Sequence, residues 1–117
     1  MADAQHLCKT TKDVQDHLGE VCAVVGTYEI KPFRNKKGEA WRDWPVLVLE
    51  DGKRDVLVES IWDDQKLPSA ETIVRYRGRL VEIVGTLNAS PPHPGKARGA
   101  NIAALTVSPV TSIRVVE

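Results

Sequence analysis

The chain has 117 residues, room for one domain with a real core and too few for two. Its hydrophobic content of 42% is ordinary for a globular protein, and 16 basic side chains balance 16 acidic ones. That balance excludes the basic whole-protein field of a strong non-specific DNA binder, so any nucleic-acid contact must come from a local patch.

Residues 1–10 read as a flexible N-terminal tail and residues 11–117 as a single domain. Thr11 is placed to cap a short helix over Lys12–Leu18, with Val14 and Leu18 four apart on one face and Gly19 as its stop. Val21–Val25 is an apolar, β-branched run expected to form a strand buried on both faces. Gly26 interrupts it before Thr27–Ile30 resumes, as a bulge or bend would. Residues 31–45, with proline, glycine, charge and three interleaved aromatic side chains, are expected to be a loop. Val46–Leu49 and Asp55–Glu59 then read as a hairpin joined through Asp51-Gly52. Ser69 caps a second helix that Gly78 ends. Leu80–Leu87 is a strand, 88–101 a second loop, and the last strand lies within 103–116, its extent obscured by Pro109.

No apolar run approaches the roughly 20 residues of a membrane span, and Met1–Lys12 lacks the apolar stretch of a signal peptide, so the expected location is the cytoplasm. Cys8 and Cys22 fit a reducing compartment, with Cys22 read as a buried thiol.

Residues 19–28 and 78–87 echo one another: a glycine, an apolar stretch, then Gly-Thr at Gly26-Thr27 and Gly85-Thr86. The two strands are therefore expected to share one geometry. Five short strands with a helix between the third and fourth is the plan of an OB-fold, an all-β, five-stranded Greek-key barrel. The lead-in Lys12–Val21 and the repeated valine-rich strand ending in Gly-Thr resemble the first and fourth strands of nucleic-acid-binding OB domains, including the anticodon-binding type. The resemblance spans roughly residues 12–117, on pattern and not on an invariant signature. It implies a ligand surface across the second and third strands, framed by loops 31–45 and 88–101.

Both loops are locally basic. Lys31, Arg34, Lys36, Lys37 and Arg42 lie in the first, and His93, Lys96 and Arg98 in the second. Phe33, Trp41 and Trp44 sit among them, and aromatic faces beside a basic groove are what hold single-stranded nucleic acid. The expected interface is therefore Lys31, Phe33, Arg34, Lys36, Lys37, Trp41, Arg42, Trp44, Lys96 and Arg98. The alternative for the tryptophans is packing, with Trp44 plugging the barrel mouth and Trp41 lying on the loop. Tyr28 points either outward beside them or inward, whereas Trp62 and Tyr76 read as packing residues.

Other chemistry finds little support. His6, Cys8, His17 and Cys22 lack the paired spacing of a zinc site. No Gly-x-Ser-x-Gly or Gly-rich phosphate loop occurs, and Asp63-Asp64 reads as solvated or helix-capping. The expectation is a binding module with no enzymatic activity and no cofactor. Its partner is single-stranded nucleic acid or, alternatively, a protein docked on the same loops, with the chain serving as an interaction module or a small subunit of a larger assembly.

Overall fold

Val21–Arg34 form one strand, β2, of 14 residues, and it serves two partners. Val21–Thr27 pair antiparallel with β5 (Leu80–Asn88), and Thr27–Arg34 pair antiparallel with β3 (Ala40–Val48). In the computed structural model, which describes residues 6–34, 37–61, 64–91 and 104–116, the remaining strands complete a circuit. β3 pairs with β4 (Asp55–Val58), β4 runs parallel to β6 (Thr106–Val115), and β6 pairs antiparallel with β5. The sheet has six strands, five of them in this partly closed ring. The sixth, β1 (His6–Cys8), adds in parallel to β2 with His6 opposite Cys22. Helices α1 (Thr11–Asp16) and α2 (Ala70–Tyr76) lie between β1 and β2 and between β4 and β5. No helix among the described residues is long and apolar enough to cross a membrane.

The two echoing segments are each other's partners, Val21 opposite Thr86 and Val24 opposite Ile83. Their second glycines have one function. A Cβ on Gly26 would stand 2.8 Å from the backbone oxygen of Val48, and one on Gly85 would stand 2.5 Å from that of Pro109. Both positions are crossings where another strand lies directly over the chain, and only a residue without a side chain fits. At Gly85 the β5–β6 register slips, Gly85 facing Val110 and Leu87 facing Val107, so β6 continues through Pro109.

Alternation along the strands sends Cys22, Val24, Tyr28, Leu47, Val56, Val81, Ile83 and Leu87 into one core, joined by Cys8, Val14, Leu105 and Val107. Tyr28 is therefore an inward residue. Burial, and then the neighbouring Tyr76 whose ring centroid is 5.8 Å away, push its phenol up to about 12. A second cluster, Trp44, Val46, Leu57 and Ile61, packs the opposite face of β3 and β4.

Several expectations are corrected. Residues 6–8 do not belong to a tail, because their backbone pairs with β2 and Cys8 is fully buried. The α1 cap is Thr10 and not Thr11. Thr10 Oγ1 accepts from the Asp13 amide, and Asp13 Oδ2 accepts from that of Thr10, a capping box. Helix α1 then ends at Asp16, short of Leu18. Asp51 does not sit in a two-residue hairpin turn, since β3 ends at Val48 and β4 begins at Asp55. Its carboxylate instead accepts from the Thr11 amide (2.9 Å) and hydroxyl (3.1 Å), tying the hairpin end to the start of α1. The largest correction is that 31–45 is mostly strand, paired as Lys31 with Trp44 and Phe33 with Arg42, so only 35–39 connect β2 to β3.

Gly85→Ala should lower stability by about 1–3 kcal/mol, because the new methyl meets backbone that cannot yield cheaply. Equilibrium urea unfolding measures it, and Gly26→Ala should behave alike. Asp13 and Asp51 both have carboxyls held below the usual carboxylate range, chiefly by backbone amides of Lys9 and Thr11 respectively. Their contribution is present above the ordinary carboxylate pKa and disappears as pH falls through the lowered values. Urea midpoints taken from neutral pH to about pH 3 should therefore drop less steeply in Asp51→Asn than in the wild type.

Candidate functional site

Beyond its pairing with β5, β2 continues with β3 alone as a two-stranded ribbon. Register along it is regular to Phe33 opposite Arg42, and then Arg34 faces Ala40. Trp41 is the extra residue of this β-bulge. A bulge re-aims the side chains beside it, and here Trp41 joins Phe33 against the Trp44 cluster. The Arg42 guanidinium lies over both indoles, 4.8 Å from the Trp41 ring centroid and 5.7 Å from that of Trp44. Arg42 Nη1 also donates to the Ile61 carbonyl at 3.1 Å. An arginine fixed in this way stiffens the ring it covers.

The expected interface residues divide by environment. Phe33, Trp41 and Arg42 are half-buried on one face of the ribbon, while Arg34 and Lys37 are exposed at its end. Arg34 Nη1 donates to the Gly38 carbonyl at 2.8 Å, which braces the turn. Lys31 is ion-paired to Asp55, Nζ to Oδ2 2.8 Å, so its charge is already partly used. Trp44 has no exposed face. It is completely buried, and its Nε1 donates to the carbonyls of Val58 (3.0 Å) and Glu59 (3.2 Å). It therefore supports the ribbon from beneath and does not plug the main core. Lys36, Lys96, Arg98, His93 and Trp62 lie outside the described residues. Glu39 and Asp43 are exposed on the same ribbon, so its local field is weaker than a count of cations suggests.

Glu59, which sequence reading passed over, holds the supporting layer together. It sits in the left-handed region at φ 70. Its carboxylate accepts from Ser108 Oγ (2.7 Å) and the Val110 amide (2.9 Å), which joins the end of β4 to β6. A non-glycine residue holds that backbone only where such contacts fix it. No local pattern announces this, because both partners are about 50 residues away.

The metal-capable residues sort differently from their order in the chain. Cys8 and Cys22 are fully buried free thiols in the core. Burial, then the neighbouring Cys22, pushes the Cys8 thiol up to about 12, and burial raises Cys22 too, so neither is a ready thiolate. His6 and His17 instead meet Glu20 at the surface, with the three donor atoms within 4.8 Å of one another. Glu20 was not among the sequence candidates, although its spacing of three from His17 across a turn was a usable signal.

No protein-family model matches this chain, and neither a curated protein nor a solved structure does.

Trp44 gives a direct test of the supporting layer. Trp44→Phe keeps an aromatic ring but leaves the Val58 and Glu59 carbonyls without their donor, and should lower stability by about 1–3 kcal/mol. Trp44→Ala also opens a cavity and should cost about 3–5 kcal/mol. Urea unfolding reads both.

Proposed function

We propose that this protein is a non-catalytic OB-fold-type module that holds a short length of single-stranded nucleic acid on the β2–β3 ribbon. The fold half of this reading is supported by the ring order β2-β3-β4-β6-β5, closed by β5 on β2. Its β4–β6 pair is parallel, and α2 lies between β4 and β5, the third and fourth ring strands in chain order. In such folds the second and third strands and their flanking loops carry the ligand. Here those strands are β3 and β4, with the β2–β3 connection at one end.

The observation that carries the binding half is the bulge at Trp41. It gathers an indole, the Phe33 ring and a braced guanidinium on one face of a projecting ribbon whose end carries Arg34 and Lys37. Flat rings beside a few cations suit bases stacked in a row with phosphates at the edge, at about 1–3 kcal/mol per stacked base. Lys31 contributes less than its charge, and Trp44 contributes by holding the ribbon's shape. With about three phosphate contacts, from Arg34, Lys37 and Arg42, the logarithm of affinity should fall with the logarithm of salt at a slope near −2. That makes a modest binder, consistent with a chain of zero formal charge.

Fluorescence anisotropy with short labelled DNA and RNA strands, titrated at low and moderate salt, tests the reading. The expected result is saturable binding with that slope, weakened at least about fivefold by Trp41→Ala, the loss of one stacked base. Absence of binding at low salt, or binding indifferent to both salt and Trp41, would overturn it and turn attention to a protein partner on the same face.

A further inference from the structure

The geometry points to a second site, separate from the ribbon: we propose that His6, His17 and Glu20 bind one divalent first-row transition metal ion, zinc foremost. The three residues come from one strand and one turn. His6 opens β1, His17 is the C-cap of α1, and Glu20 immediately precedes β2. The turn between α1 and β2 is fixed by the Glu20 amide donating to the His17 carbonyl (3.1 Å). On its other side, the Gly19 amide donates to the Leu87 carbonyl (2.7 Å) and the Leu87 amide to that of Glu20 (3.0 Å). Parallel pairing of His6 with Cys22 then sets the His6 ring beside this turn.

The donor atoms all lie within 4.8 Å of one another, and the two histidine–carboxylate separations are near those of a metal site. Ligand atoms held at 2.0–2.2 Å from a tetrahedral zinc ion stand about 3.3–3.5 Å from one another. Glu20 Oε1 is 3.0 Å from His6 Nε2 and 3.4 Å from His17 Nδ1. His17 Nδ1 is a solvent-inaccessible atom that makes no hydrogen bond among the described residues, despite facing that carboxylate. A buried nitrogen lone pair or N–H in that state calls for a partner. The two imidazole rings are stacked, centroids 3.8 Å apart and 19° from parallel, so they must turn about their side-chain torsions to aim both nitrogens at one ion. Both side chains are partly exposed.

Two neutral imidazoles and one carboxylate suit zinc, and also copper and nickel, better than calcium or magnesium, which prefer all-oxygen shells. Three protein ligands leave a fourth position for water. Bound metal would lock β1, only 3 residues long, to the α1–β2 turn. The cysteines are not required, being buried with raised pKa values.

Isothermal titration of the metal-stripped full-length chain with zinc and with cobalt tests the site. Saturation at one equivalent is expected, with His6→Ala, His17→Ala and Glu20→Gln each weakening uptake at least about tenfold. Circular dichroism checks that each variant is folded, and Glu20→Gln keeps the side-chain shape if a histidine change perturbs β1. The cobalt complex should show the weak visible bands of nitrogen and oxygen ligation. No saturable uptake by the wild-type chain, unchanged affinity in the folded variants, or an intense thiolate-to-cobalt band that moves the ion to Cys8 and Cys22 would each overturn the assignment.

Discussion

Strand β2 must satisfy β5 with its first half and β3 with its second, and the changeover falls at Gly26 and Thr27. Everything else in the molecule depends on that changeover being sterically allowed. At Gly26 the Val48 carbonyl lies where a Cβ would be, and at Gly85 the Pro109 carbonyl does the same on the partner strand. With side chains at these two places, either β3 or β6 would have to stand off. The five pairings would not return on themselves, and the core that includes Tyr28, Leu47, Val81 and Ile83 would lose a wall.

The crossing also decides where the candidate ligand surface can be. Once β2 has left β5, its remaining residues have only β3 to pair with, so they project as a ribbon. A two-stranded ribbon is marginal by itself. This one is held by Trp44, whose buried indole spans to the Val58 and Glu59 carbonyls, and by Arg42, whose guanidinium reaches the Ile61 carbonyl from above the rings. Glu59 in turn fixes those carbonyls by binding β6. Phe33 and Trp41 are thus carried on an element that is stiffened from the ring outward. A pre-positioned ring gives up less freedom when a flat ligand stacks on it than a ring on a loose loop does.

How much of this the sequence disclosed follows from the range of the interactions. The Gly-Thr echo was legible because both crossings demand the same residue in the same strand pattern. So was the strand Leu80–Leu87 itself, whose residues Val81, Ile83 and Leu87 face the core. The ribbon was not legible, because β2 beyond Ile30 is half-buried or exposed, β3 from Ala40 to Asp43 likewise, and Pro32 and Pro45 stand within it, which removes the period-two signal of a buried strand. The bulge leaves no compositional mark, and so the regrouping of Trp41 with Phe33 could be expected only as an interleaving of aromatic and basic residues. Strand β1 was hidden for another reason. Three residues of mixed polarity become a strand only through parallel pairing with β2, a contact that no local rule reports. The role of Asp51 was misread because its strongest partner, Thr11, is 40 residues away, whereas the turn signal is local.

The ribbon face proposed to receive the ligand bears Phe33, Trp41 and Arg42. The most direct measurement is a heteronuclear NMR titration of isotope-labelled protein with a short single-stranded oligonucleotide. The Trp41 indole N–H and the backbone amides of the ribbon should shift together, while the Trp44 indole N–H, sealed beneath them, should shift little. Shifts confined to another face, or no shift at saturating oligonucleotide, would contradict it.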